Sequence, residues 1–251
     1  MSINKRYKRN SDIDVLILCG GYGSRLQPII SDRPKGMILI GGRPFLDILV
    51  DELLRNDFRR IIFCVGYLKE HIINHFKYRR DAEFIFSEET FPLGTGGAIL
   101  NALPKIHSET LLILNGDSFC KFSFDKFIHF HYSMKSYVTL VLANRKERCD
   151  GGVVLLNESA VIHSFQEKKN DKNTINALIS AGIYLLELDF LRSLKYMSPC
   201  SLEYDLMPKL VESKKCYGFV INSELVDIGT PERYLQASSL LFPNGCGDTN
   251  V

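Results

Sequence analysis

Apolar runs of four to seven residues alternate with stretches of helical spacing through the first 145 positions, and that rhythm sets the expected architecture. Strands are predicted at 15–18, 61–65, 83–86, 111–114 and 138–142. Between them, residues 44–57 place Phe45, Ile48, Leu49 and Leu53 on one helical face, with Pro44 at an early position that tolerates proline. Residues 67–77, 97–103 and 124–135 read as helices in the same way. Strand–helix alternation builds right-handed βαβ units, which predicts an α/β chain with a mostly parallel sheet covered on both faces. From about residue 150 the rhythm changes. Strands at 153–156, 161–166 and 177–186 follow one another without long helices between them. Then come a helix near 204–213, a strand pair at 217–221 and 224–226, and a C-terminal helix over 231–241. This second half is expected to add a layer over the ligand edge of the sheet. No low-complexity linker divides the chain, so one domain is expected over 13–241, with a basic arm at 1–12 and a loose tail at 242–251.

Composition narrows the classes. With 251 residues, 45% hydrophobic and 24% charged, the chain can bury a sizeable core. A net charge of +2 makes no electrostatic case for nucleic acid or an anionic membrane. No apolar segment approaches the roughly 18 residues that span a bilayer. The basic stretch Lys5, Arg6, Lys8 and Arg9 is not followed by a secretory apolar region, so a cytoplasmic location is expected. Seven cysteines occur, never as C-x-x-C, and Cys19, Cys64, Cys120 and Cys216 sit in apolar surroundings. They read as buried free thiols. His71 and His75 have metal-ligand spacing, but HIINH lacks the adjacent glutamate of H-E-x-x-H, and a surface helix accounts for them. Oligomeric state is not legible.

The chemistry concentrates at 17–35, ILCGGYGSRLQPIISDRPK. An apolar strand ends in Gly20, Gly21 and Gly23, with Ser24 and Arg25 next and Lys35 ten residues on. Glycines let a ligand approach backbone N–H groups, and two cations beside them suit a polyphosphate. A strand followed by glycines can also be only a tight turn. The dinucleotide fingerprint fails because Leu26 stands where its third glycine belongs, and no Gly-Lys pair exists for a P-loop. What remains, G-G-x-G-[ST]-R-L followed by Pro34–Lys35, resembles the signature of the sugar-1-phosphate nucleotidyltransferases.

That resemblance runs from about residue 13 to 241 and gathers four further motifs. Leu93–Ala98, LGTGGA, preceded by Glu88 and Glu89, is by itself a tight helix entry. The resemblance makes it the nucleobase loop, with Gly94, Thr95 and Glu89 in the nucleotide set beside Leu18 and the glycine loop. In LLILNGDSF, Asn115-Gly116-Asp117 reads equally as a turn or as a strand-end carboxylate, and the resemblance implies that Asp117 binds Mg²⁺. In VDIGTPERY, Thr230 and Pro231 cap a helix. Asp227 matches the second metal carboxylate. Glu167 and Lys168 in SFQEK read alone as a solvated edge; by resemblance Glu167 meets sugar hydroxyls and Lys168 the sugar phosphate. Gly152 matches the glycine that admits the sugar ring. Ser180 stands where asparagine is usual before Ala-Gly-Ile-Tyr, and Gly36 replaces the usual proline after Lys35.

The resemblance implies a single-domain Rossmann-like nucleotidyltransferase fold, a mostly parallel mixed sheet flanked by helices. With no hexapeptide repeat, no β-helix extension is expected. It implies attack of a sugar 1-phosphate on the α-phosphorus of a nucleoside triphosphate, with Arg25 and Lys35 as the catalytic cations. Lys35 would touch both the α-phosphate and the sugar phosphate. The LCGG opening, PLGTGGAI and SLEYDLMP (Ser201–Pro208) look most like D-glycero-α-D-manno-heptose 1-phosphate guanylyltransferases, with mannose 1-phosphate guanylyltransferases and other hexose 1-phosphate enzymes next. A nucleotide- or sugar-phosphate-sensing relative, a nucleotide-sugar-dependent glycosyltransferase and an enzyme for a non-sugar phosphate are the alternatives from other classes. The complete set of cations and carboxylates argues against a sensor, and Asn115-Gly116-Asp117 in place of D-x-D against a glycosyltransferase.

Overall fold

The computed structural model describes residues 9–26, 30–144, 152–166, 178–193 and 198–242. The first half runs β1 (Asp14–Leu18), a short hairpin β2 and β3 (Leu39–Ile40, Arg43–Pro44), α1 (Phe45–Arg55), β4 (Arg60–Val65), α2 (Lys69–Phe76) and β5 (Glu83–Glu88). It continues through α3 (Gly94–Ala102), β6 (Thr110–Asn115), the two-residue β7 (Ser118–Phe119), α4 (Phe124–Ser133) and β8 (Val138–Asn144). The second half runs β9 (Val153–Leu156), β10 (Ile162–Gln166), β11 (Leu178–Glu187), α5 (Leu188–Ser193), α6 (Met207–Glu212), β12 (Cys216–Ile221), β13 (Val226–Asp227) and α7 (Pro231–Leu241).

The main sheet has the order β5-β4-β1-β6-β11-β8-β12, parallel throughout except for β11, which runs against both its neighbours. Strand β11 is long enough to outrun β6. Ile183 to Glu187 pair with β6, while Leu178 and Ile179 pair with β9, which carries β10. Helices cover both faces, which explains why β1 and β6 are apolar at every interior position rather than alternating. Along β1, Val15 and Ile17 join the core beneath α1 and α4, while Leu16 joins the core beneath α3 and α6. Leu112 and Leu114 of β6 divide from Leu111 and Ile113 in the same manner. No described helix is long and apolar enough to cross a membrane.

The expected strands and helices form, with local differences. Helix α3 starts at Gly94, three residues earlier than the spacing predicts, and α2 is shorter than 67–77. Residues 204–213 divide into a π-helical turn, Leu202–Leu206, capped by the Ser201 hydroxyl, and then α6. The expected pairing of 217–221 with 224–226 does not form. β12 adds to β8, and the later strand, at Val226–Asp227, pairs with β7 instead. Hairpin β2–β3, β7 and α5 carry too few residues to produce a period and are not predicted. Residue 177, expected in a strand, lies outside the described residues.

Candidate active site

The carboxyl ends of β1, β4 and β6 meet along one edge of the sheet, where open parallel sheets hold ligands. Their following loops touch through backbone: Tyr67 N–H donates to Gly20 O (3.0 Å), and Gly116 N–H to Leu18 O (2.9 Å). A Cβ on Gly66 would stand 2.8 Å from Gly20 O, so that crossing requires glycine. Above it opens a cleft of about 560 Å³. Leu18, Gly20, Gly21, Gly23, Ser24 and Arg25 line one side of it, and Glu89, Gly94 and Thr95 another. Lys35 and Asp117 line it as well. All the residues that the sequence assigns to the nucleotide therefore meet in one cavity.

Gly94 has φ +74°, and a Cβ there would lie 2.5 Å from Cys200 O, which fixes glycine at this point. Burial raises the proton affinity of Glu89, partly offset by Leu93 N–H, which donates to its carboxylate (3.3 Å). Burial, and then the nearby Glu89 carboxylate, push the Cys19 thiol far up. Cys19 donates to Cys64 O (3.1 Å), so the cleft holds a neutral thiol rather than a nucleophile.

A smaller cavity of about 150 Å³ adjoins the cleft through Arg25, Asn115 and Asp117, which line both. Gly152 and Ser180 lie in it together, joined by Ser180 N–H donating to Gly152 O (3.1 Å). Glu167 and Lys168 lie outside the described residues. Of the two strand-end carboxylates, Asp117 lines both cavities and Asp227 the smaller one. The β7–β13 ribbon pairs Ser118 with Asp227, and Ile228 N–H donates to Asp117 O (3.0 Å). The Ser118 hydroxyl lies 3.1 Å from Asp117 Oδ1 and 3.5 Å from Asp227 Oδ2.

Lys35 Nζ reaches Asp117 Oδ2 at 2.5 Å. Burial opposes charge on Asp117, but Lys35, Ser118 and Arg25 outweigh it and hold the carboxyl below its usual range. Asp227 accepts from Gly229 N–H (2.7 Å) and Arg233 Nη1 (3.1 Å). A Cβ built on Gly229 would lie 2.7 Å from Asp227 Oδ1, 3.3 Å from Lys35 Nζ and 3.5 Å from Arg25 Nη2, so both cations and a carboxylate converge there. Among the described residues no cluster of three or more His, Cys, Asp or Glu side chains forms a metal cage. Two carboxylates bridged by one hydroxyl, open to a cavity, instead fit a hard cation that takes its remaining oxygens from phosphate and water.

Residues 14–242 match the family model described as nucleotidyl transferase. The chain belongs to the nucleotidyl transferase family. It is 34% identical over 231 residues to the D-glycero-alpha-D-manno-heptose 1-phosphate guanylyltransferase of Aneurinibacillus thermoaerophilus, covering 91% of this chain and 98% of that protein. It is 32% identical over 230 residues to the mannose-1-phosphate guanylyltransferase catalytic subunit beta of Drosophila pseudoobscura pseudoobscura. That match covers 90% of this chain but only 61% of the relative's length. A crystal structure of HddC from Yersinia pseudotuberculosis complexed with GMP-PN superposes with a TM-score of 0.76 at 30% identity, covering 90% of this chain and 98% of that one.

Several residues of this nucleotidyl transferase site escape sequence reasoning. Ser118 sits beside Asp117 in an ordinary turn string, and only the ribbon reveals that it spans to Asp227. Arg233 stands six positions after Asp227, on the first turns of α7, a spacing that carries no motif. Glu203, inside the SLEYDLMP segment, lines the smaller cavity. The Tyr22 and Tyr67 rings pair at 5.0 Å on the lip of the larger one.

Proposed function

We propose that this chain joins a nucleoside triphosphate, GTP by preference, to a sugar 1-phosphate, with D-glycero-α-D-manno-heptose 1-phosphate the favoured acceptor, and releases pyrophosphate. The convergence of Arg25 and Lys35 with Asp117 and Asp227, at the junction of a nucleoside-sized cleft and a small polar pocket, carries this reading. The sugar phosphate oxygen that attacks is already an anion at neutral pH, so no general base is required. A new P–O bond forms at the α-phosphorus, and the bond to the bridging oxygen breaks. Arg25 and the glycine-loop N–H groups would hold the triphosphate. Lys35 would draw the two anions together, and catalysis is positioning and charge neutralisation. Asp117 and Asp227 would hold Mg²⁺, which supplies Lewis-acid stabilisation of charge on the transferring phosphoryl group.

Glu89 supports guanine. A carboxylate only accepts hydrogen bonds, and the guanine edge offers two adjacent donors, N1–H and N2–H. Similarity along nearly the whole of the heptose relative, at 34% identity, supports heptose as the acceptor. The reaction would run in the cytoplasm, where nucleoside triphosphates are supplied. Pyrophosphate release with Mg²⁺, measured over a matrix of triphosphates and sugar 1-phosphates, tests the reading. GTP with the manno-heptose 1-phosphate is the expected best pair. Silence from folded protein across the whole matrix would overturn it.

A further inference from the structure

The segment that follows Pro199 is stitched to the nucleotide loop. Cys200 N–H donates to Leu93 O (2.9 Å), Gly97 N–H to Cys200 O (3.0 Å), and Leu202 N–H to Thr95 Oγ1 (2.8 Å). Thr95 then donates its own hydroxyl to Glu203 Oε2 (2.6 Å). Ser201 Oγ donates to the same oxygen (2.9 Å), and takes Glu203 N–H in return (3.1 Å). One carboxylate oxygen is thus fixed by two hydroxyls, one of which belongs to the wall of the nucleoside cleft. Yet Glu203 itself lines the other cavity, with Ser180, Gly152 and Arg233. Among the described residues, its second oxygen accepts no hydrogen bond, and no cation stands within ion-pair distance of it.

An anchored carboxylate with one open oxygen is a pure acceptor. It repels phosphate and rewards a hydroxyl, so in a phosphosugar it suits the polyol rather than the anionic end. We infer that Glu203 recognises the sugar, its Oε1 accepting from a hydroxyl of the sugar 1-phosphate while Thr95 and Ser201 hold Oε2. This rests on the nucleotidyl-transfer reading, and it makes the nucleotide loop a support for sugar recognition.

The test is steady-state kinetics of E203Q and E203D, with melting temperatures recorded to confirm folding. E203Q keeps the shape and replaces an acceptor by a donor; E203D keeps the charge and withdraws the oxygen. E203Q, which can keep the Thr95 and Ser201 bonds, is expected to raise KM for the sugar 1-phosphate by roughly tenfold or more while KM for the triphosphate stays within about twofold, and E203D to raise the sugar KM well beyond the triphosphate KM. On a panel of deoxysugar 1-phosphates, the wild type should lose most on one deletion, and E203Q should be indifferent to that same deletion. A bracing role alone would raise both KM values together. That outcome, or an unchanged sugar KM, overturns the inference while wild-type turnover leaves the parent reading standing. A wild type silent with every sugar 1-phosphate overturns both.

Discussion

The proposed guanine contact and the burial of Glu89 pull against each other. Burial favours its neutral form, yet an acceptor for two guanine donors must be ionised. A carboxyl whose folded pKa is raised contributes stability below its unfolded value, about 4.3, and loses it as pH rises through the folded value. At neutral pH the ionised side chain is therefore a stability cost that Glu89→Gln removes, while the amide oxygen still accepts from Leu93 N–H. The variant is expected to melt higher than wild type at pH 7, with the two curves converging as the pH falls to about 4. Its kcat/KM for GTP should fall roughly tenfold or more, and that for UTP less, since one acceptor becomes a donor facing the base. Equal melting of variant and wild type at both pH values would remove the burial cost, and equal losses on both nucleotides would remove Glu89 from base recognition. Sequence resemblance was enough to group Glu89 with the residues that line the larger cleft. Its raised proton affinity comes from burial that outweighs the Leu93 N–H bond, which no spacing encodes.

The elements that carry the chemistry are the smallest in the fold. Long strands and helices were readable because a period needs several turns or alternations to emerge, and β1, β4, β6 and α1 have them. β7 and β13 have two residues each, yet their pairing brings together Asp117 and Asp227, 110 positions apart in sequence (227 − 117). Gly229, in the turn before α7, and Arg233, within the helix, then donate to Asp227 Oδ1. Two neighbouring substitutions separate the capping of α7 from this contact. Thr230 caps α7 by accepting from Arg233 N–H (3.4 Å), and Thr230→Ala should cost about 1 kcal/mol of stability with turnover largely kept. Gly229→Ala meets only the ends of movable side chains, so the fold should tolerate it within about 1 kcal/mol. Those ends are Asp227 Oδ1, Lys35 Nζ and Arg25 Nη2, and displacing them should lower turnover by roughly a hundredfold. Urea unfolding and pyrophosphate release on the pair check this. Normal turnover in Gly229→Ala would detach that convergence from catalysis.

At the scale of the molecule, the site is built where two kinds of sheet meet. The parallel block β5-β4-β1-β6 aligns its carboxyl ends to form the larger cleft, and the reversed β11 carries Ser180 and Gly182 back past β6 to wall the smaller one. Strand alternation along the first half was enough to predict the parallel block. The reversal of β11 was not legible, because an apolar strand buried on both faces reads alike in either direction. In this arrangement Lys35 rests on Asp117 and Arg233 on Asp227. Ligands that enter should replace those contacts and bind the folded state alone. A nucleotide at a hundred times its Kd adds about 2.7 kcal/mol, so GTP with Mg²⁺ is expected to raise the melting temperature by roughly 5–10 °C. On the proposed metal role, a chelator should remove much of that shift, and Asp227→Asn should abolish its metal dependence while leaving a smaller rise from the glycine loop and Arg25. A shift indifferent to the chelator in the wild type would place the nucleotide without the carboxylates. The proposed metal role would then fail even if the cleft were right.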